Sequence, residues 1–348
     1  MTSNSIRSPL GITRRRLGTG LAAIAAAAAL PGALITPARA QAPLDPWKVL
    51  ADISVDARKL GLAVPVVSSA GPGSGDYRDI LPAAVDFIDK LGEAIAKSKL
   101  PAAQTAPLQQ RASDLLRAVH KSEKAPRQKA GYDRPRNGVL SMLATPAYAD
   151  DQARLAKFKQ YHDSYLQLYD TCTVRSDDRA QVDWYMGKLT SDAYRARYEA
   201  VGNAMCVPWY FIGIVHALEA SFDFNGHLHN GDPLSERTSD VPANRPPIWL
   251  PPSDWESSAR DALEFEGFTN QLDWSLAHTL FRYEAYNGFR SREQHSINTP
   301  YLWSFSNHYS SGKFVSDGVW SSSAVSKQCG AGVLLHELEA KRLISFTA

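Results

Sequence analysis

Glu219 stands in VPWYFIGIVHALEAS, residues 207–221, where an amphipathic helix would place an apolar side chain. At helical spacing Pro208, Phe211, Ile212, Val215, Leu218 and Phe222 form one apolar stripe. Glu219 falls one turn beyond Val215 and two beyond Ile212, on the same face. A carboxyl group drawn out of water there favours its neutral form. That is the form a general acid needs, and glycosidic bond cleavage is the reaction that most often calls for it. The plain alternative is a glutamate at the edge of the stripe that reaches water or pairs with an arginine.

A glycosidase often uses a second carboxylate on the far side of the bond. Asp223, Asp232 and Asp240 follow Glu219, and Asp232 in HLHNGDPL is the preferred candidate, because the irregular segment after the helix would fold back beside it. Aspartates flanked by Gly and Pro also serve as turn formers. His216 precedes Glu219 by three residues, and His227 and His229 would share one side of an extended strand. With Glu219 and Asp232 they admit two readings, a metal site or histidines that shape a sugar cleft. There is no HExxH, no nucleophile elbow, no phosphate loop and no dinucleotide fingerprint, so neither metal nor cofactor is expected. Six of the eight tryptophans lie after residue 205. Tyr301, Trp303 and Tyr309 in PYLWSFSNHYSSGKF pair aromatic faces with Ser and Asn groups, which suits either a sugar-binding wall or an ordinary packed loop.

The elements that must position these residues read as mostly helical. Asp79–Leu100 and Pro107–Val119 form an expected helical hairpin. Helices are also expected from Ala153 toward Cys172, from Ala180 to Ala204, after Pro208, over Ser253–Glu266 and Asp273–Tyr286, and over Ser323–Leu343. Asp273 is placed to cap its helix and Asn287-Gly288 to end it. The run from Asn225 to Pro252 has no helical period and suits a β-hairpin or the irregular wall of a cleft.

Thr13-Arg14-Arg15-Arg16-Leu17, an Ala-rich apolar run and Ala38-Arg39-Ala40 read as a twin-arginine signal over residues 1–40, removed on export to the periplasm or the exterior, with no membrane span left. That segment holds five arginines and no acids, so its loss takes the formal charge from +2 to −3. No basic field remains to attract nucleic acid. The organisation expected is a signal (1–40), a helical module (41–120), a Lys-, Arg- and Pro-rich linker (121–151) and a helical domain (152–348). Cys172, Cys206 and Cys329 allow at most one intramolecular disulfide, and Cys206 reads as a packing residue.

IVHALEAS, Ile214–Ser221, resembles the apolar helix and glutamate around the catalytic acid of goose-type lysozymes and lytic transglycosylases. EAYNGF, Glu284–Phe289, resembles their later A-Y-N-x-G motif, with the glycine directly after the asparagine. HLHNGDPL, WSLAHTLFRYEAYNG, PYLWSFSNHYSSGKFVSDGVW and CGAGVLL look like a bacterial and phage lysozyme-like group, over about residues 155–340. The resemblance implies a mainly α, lysozyme-like (α+β) fold: a helical catalytic domain with a small irregular or β-hairpin insertion, preceded by a short helical module. It implies Glu219 as general acid, with Tyr286 and Asn287 near the reacting sugar, and Asp232 as second carboxylate by analogy with goose-type enzymes. Ala220 stands where the family motif often has serine. The expected activity is cleavage of the β-1,4 bond between N-acetylmuramic acid and N-acetylglucosamine in peptidoglycan glycan strands. His216, His229, Tyr286, Asn287, Tyr301, Trp303 and Tyr309 are expected to bind substrate. A lytic transglycosylase, a metal-dependent wall peptidase and a non-catalytic peptidoglycan-binding protein are the alternatives.

Overall fold

Helix ends are written locally in this chain. Asp45 accepts hydrogen bonds from the N–H groups of Trp47 and Lys48 and so caps α1 (Pro46–Lys59), which opens on a proline. Asp76 caps α2 (Tyr77–Lys97) through Arg78 N. Each helix turns one apolar stripe inward, and α2 and α1 both pack on α3 (Ala102–Glu123). The computed structural model describes residues 45–71, 76–123, 146–250, 253–316 and 318–346, with side chains from residue 152 onward in the helix that begins at Pro146. The signal sequence and most of the linker read above lie outside the described residues.

The remaining elements are α4 (Pro146–Asp170), a single 3-10 turn (Ser176–Asp178), α5 (Arg179–Thr190), α6 (Asp192–Met205), α7 (Trp209–Ala220), α8 (Trp255–Phe265), α9 (Leu276–Asn287), α10 (Arg290–His295), α11 (Pro300–Trp303), β1 (Lys313–Ser316), β2 (Val319–Ser321) and α12 (Ala331–Ala340). The chain is mostly helical, as its periodicity implies. The centre is α7: every residue from Phe211 to Ala220 is buried, and α5, α6, α9 and α12 pack around it. It is therefore buried on all sides, not along one stripe, which is the signature of a core helix.

Several boundaries differ from expectation for identifiable reasons. The helix expected over Ala180–Ala204 is two helices, broken where Ser191 turns extended (ψ 140°). The hydroxyls of Thr190 and Ser191 bond back to the carbonyls of Met186 and Lys188, competing with helix continuation. The last helix begins at Ala331, not Ser323; serine-rich 321–323 makes a turn closed by Ser321 Oγ on Ala324 N. Ser275, not Asp273, is the N-cap of α9; Asp273 instead accepts from Ser275 N. Residues 225–250 form an irregular wall with one isolated bridge, Gly226 to Pro233. The described hairpin lies elsewhere, antiparallel β1–β2 with Phe314 opposite Trp320. Asp317-Gly318, a turn-forming pair between the apolar residues Phe314-Val315 and Val319-Trp320, was its sequence signal. Cys206, expected to pack, is exposed and left-handed at the end of α6, and all three cysteines are free thiols.

α3 runs into the segment read as a linker, and its last turn grips the rest of the molecule. His120 Nδ1 meets Ser221 Oγ at 2.7 Å. Lys121 bridges Asp240 at 2.6 Å and Asp232 at 3.6 Å. Glu123 accepts from Lys313 Nζ and from Lys327 N, both at 2.6 Å.

Candidate active site

Glu219 is fully buried in the last turn of α7. Tyr301, on α11, donates its hydroxyl to Glu219 Oε1 at 3.0 Å. The loop after α7 doubles back so that Gly231 lies on the Glu219 backbone: a Cβ there would come within 2.8 Å of the Glu219 carbonyl, and the residue has φ +79°. Both demands are met by glycine. Directly after α7, Ser221 (φ 50°) and Phe222 (φ 64°) are left-handed, costly for side-chain-bearing residues. The corner is held by His120 on Ser221 and by Gln328, whose amide donates to Leu218 O at 3.3 Å.

Asp232 is brought to this loop, beside Gly231, but its carboxylate is occupied. Oδ2 accepts from Ser239 N and Asp240 N at 2.8 Å each, from Asn230 Nδ2 at 3.1 Å and from the Ser239 hydroxyl at 3.2 Å. Burial opposes its charge, yet the two backbone N–H groups, the Lys121 ammonium and the Ser239 hydroxyl outweigh burial and hold it below the usual aspartate range. Asp232 is thus the knot that ties residues 230–240 together. The expectation that it stands ready to activate water is corrected: Oδ2 is taken up by donors of its own loop, and Oδ1 faces the Lys121 ammonium of α3 at 3.6 Å. Asp240, exposed, is the lysine's other partner.

The three histidines go separate ways. His216 lies in the aromatic core, bonded to Tyr198 OH at 3.0 Å and packed on Phe224 and Trp255. Burial pushes it down to about 3, so it is neutral. It is a core residue rather than a cleft ligand, correcting its expected role. His227 is bonded at both ring nitrogens, to Ser258 Oγ at 2.8 Å and to the Glu236 carbonyl at 2.7 Å, and burial lowers its proton affinity. His229 Nε2 meets Asp261 Oδ2 at 2.8 Å, and Arg245 clamps the same carboxylate. Among the described residues no three His, Cys, Asp or Glu side chains converge to hold a metal.

Of the aromatic candidates, the structure brings Tyr301 to Glu219. Tyr286 donates to Leu228 O at 2.9 Å and pins the loop to α9, whose half-buried last residue is Asn287. Trp303 is fully buried beneath α12, and Tyr309 closes a turn, donating to Gly312 O at 3.2 Å and accepting from Ser326 N at 3.1 Å. Both are packing residues, which corrects the sugar-wall expectation for them. Sequence reasoning missed His120 and Gln328, whose partners lie more than a hundred residues away. It also passed over Glu284 as a second buried carboxyl. Tyr165 donates to Glu284 at 2.5 Å and Arg292 at 3.2 Å, and burial raises its proton affinity. EAYNGF signalled that helix end, though for its tyrosine and asparagine.

No protein-family model, curated protein or solved structure matches the chain.

Proposed function

We propose that this protein is an exported glycosidase that cleaves peptidoglycan glycan strands, with Glu219 as general acid and a lysozyme-like arrangement of helices around it. The observation that carries the reading is a glutamic acid enclosed at the end of the core helix with a tyrosine hydroxyl on Oε1, in a segment resembling the catalytic-acid helix of goose-type lysozymes. The Tyr301 hydroxyl orients the carboxyl group through Oε1, and in this reading the carboxyl group hands its proton to the leaving oxygen. A glycan reaches the carboxyl group only when whatever encloses it moves aside. As the leaving oxygen takes the proton, positive charge develops on the sugar ring.

The engagement of Asp232 favours a route with one catalytic carboxylate. After donating its proton Glu219 becomes a base, takes the proton of the muramyl 6-hydroxyl, and that oxygen closes on the anomeric carbon to leave an anhydro sugar. Water activated by a second carboxylate would leave a reducing sugar instead. Incubating purified peptidoglycan with the parent protein and with Glu219→Gln, and weighing the fragments, tests both levels. The variant is expected to lose on the order of 10²–10⁴-fold in activity. Anhydro-muropeptides from the parent support the single-carboxylate route, reducing ends return a second carboxylate to the mechanism, and equal activity in the variant overturns the proposal.

A further inference from the structure

The corner after Ser221 faces a cavity of about 220 Å³ between α2, α3 and residues 222–225. At ~30 Å³ per water it has room for about seven waters, enough for a ligand of a few heavy atoms. Ile88, Leu91, Leu116 and Phe222 supply an apolar lining. Its charged lining residues are Asp89, Glu93 and Asp223, without any Lys, Arg or His. These groups offer hydrogen-bond acceptors to a cation.

The three carboxylates are not equivalent. Asp89 already holds Lys188 at 2.5 Å and the Tyr194 hydroxyl at 2.8 Å. Glu93 holds Lys90 at 3.2 Å. Asp223 is only 7% exposed and accepts, on Oδ1, from the backbone and side-chain amides of Asn225 at 2.9 and 3.1 Å. Among the described residues it has no ion pair; Arg117, whose charge it feels, is paired with Asp114 at 3.1 Å. A nearly enclosed carboxyl without a counter-ion is costly when charged, and a bound cation would remove that cost. Burial accordingly pushes Asp223 up to about 6.

We infer that this cavity is a binding site for a small primary alkylammonium group, with Asp223 as its counter-ion, Phe222 as an aromatic face for the cation and the aliphatic side chains of α2 and α3 around the alkyl chain. The inference does not depend on Glu219 or on the glycosidase reading.

Two substitutions separate the contributions. Asp223→Asn keeps the shape and removes the charge. Gly92→Leu fills the lining from α2, where an added Cβ meets nothing within 4 Å, and it replaces a poor helix former. The test titrates the intact protein with n-butylammonium chloride, and separately with 1-butanol, following the Asn225 side-chain amide by NMR. Saturable shifts with n-butylammonium in the millimolar range, weakened on the order of tenfold in Asp223→Asn and abolished in Gly92→Leu, are expected. Equal shifts with 1-butanol, no saturation, or unchanged binding in Gly92→Leu would overturn the site. If Asp223→Asn fails to fold, the butanol comparison and Gly92→Leu still decide.

Discussion

Asp223 and Asp232 lie nine residues apart on the same stretch after α7, and both are nearly excluded from solvent. They titrate in opposite directions. Asp232 is drawn below its ordinary range by two backbone N–H groups and a lysine that outweigh its burial. Asp223, whose donors among the described residues are the two amides of Asn225, is pushed up to about 6 by burial. Burial sets the size of the penalty on a charge, and the donors within reach decide whether it is overcome. One aspartate therefore organises a loop, and the other waits beside a cavity for a counter-ion.

The strongest way to break this contrast is Asp232→Ala. Ser239 N, Asp240 N and Lys121 would lose their acceptor, and urea unfolding is expected to show a loss of about 3 kcal/mol. A loss below about 1 kcal/mol would mean that residues 230–240 hold their shape without the knot.

Asp223→Asn should act the other way at neutral pH. The native state carries the buried charge above about pH 6, whereas the unfolded chain ionises near 3.8. Between those values the native state binds the extra proton, so this group's contribution to stability falls as pH rises through the window and stays low above it. Groups acting on Asp223 include Asp114 and Arg117 of α3 and Asn225, with Asp89 and Glu93 of α2 across the cavity. The asparagine variant is expected to gain about 1 kcal/mol at pH 7.5. His216 has the opposite sign: neutral in the native state and protonated when unfolded below 6.5, it costs stability as pH falls. With Asp223 removed that loss should stand out as a steeper decline from pH 6.5 to 4, measured by thermal melts across pH. An unchanged profile would place Asp223 in a wetter setting than its 7% exposure implies.

The smallest effect sharpens the comparison. Lys121 is half exposed, so its pairs with Asp232 and Asp240 are screened. Lys121→Ala should cost about 0.5 kcal/mol or less in the same urea experiment. A cost as large as that of Asp232→Ala would move the credit from the loop N–H groups to the ion pair.

Much of the helical content was readable because helix signals are local. Asp76 before Tyr77 and the apolar periods of α2 and α4 act over three or four residues, and the chain states them directly. The break at Ser191 was missed because two hydroxyls in sequence were weighed less than the apolar period around them. Glu219 was legible as an acid on a buried helix, since its neighbours at helical spacing are apolar. Its surroundings were not, because Tyr301 comes from 82 residues away and the His120 that holds Ser221 from 101. The titration of Asp232 was hidden too. Gly and Asn around it announced a turn, but which N–H groups the turn would aim at the carboxylate depends on the folded path of residues 230–240.

By itself the sequence determined a mostly helical chain and an apolar segment ending in Glu219, because burial patterns repeat at the period of the helix. Tertiary structure decided which carboxylates are paired, which histidines are core and where a cavity remains. Hydrogen bonds and ion pairs join groups distant along the chain, and their strength depends on a local dielectric that exists only after packing.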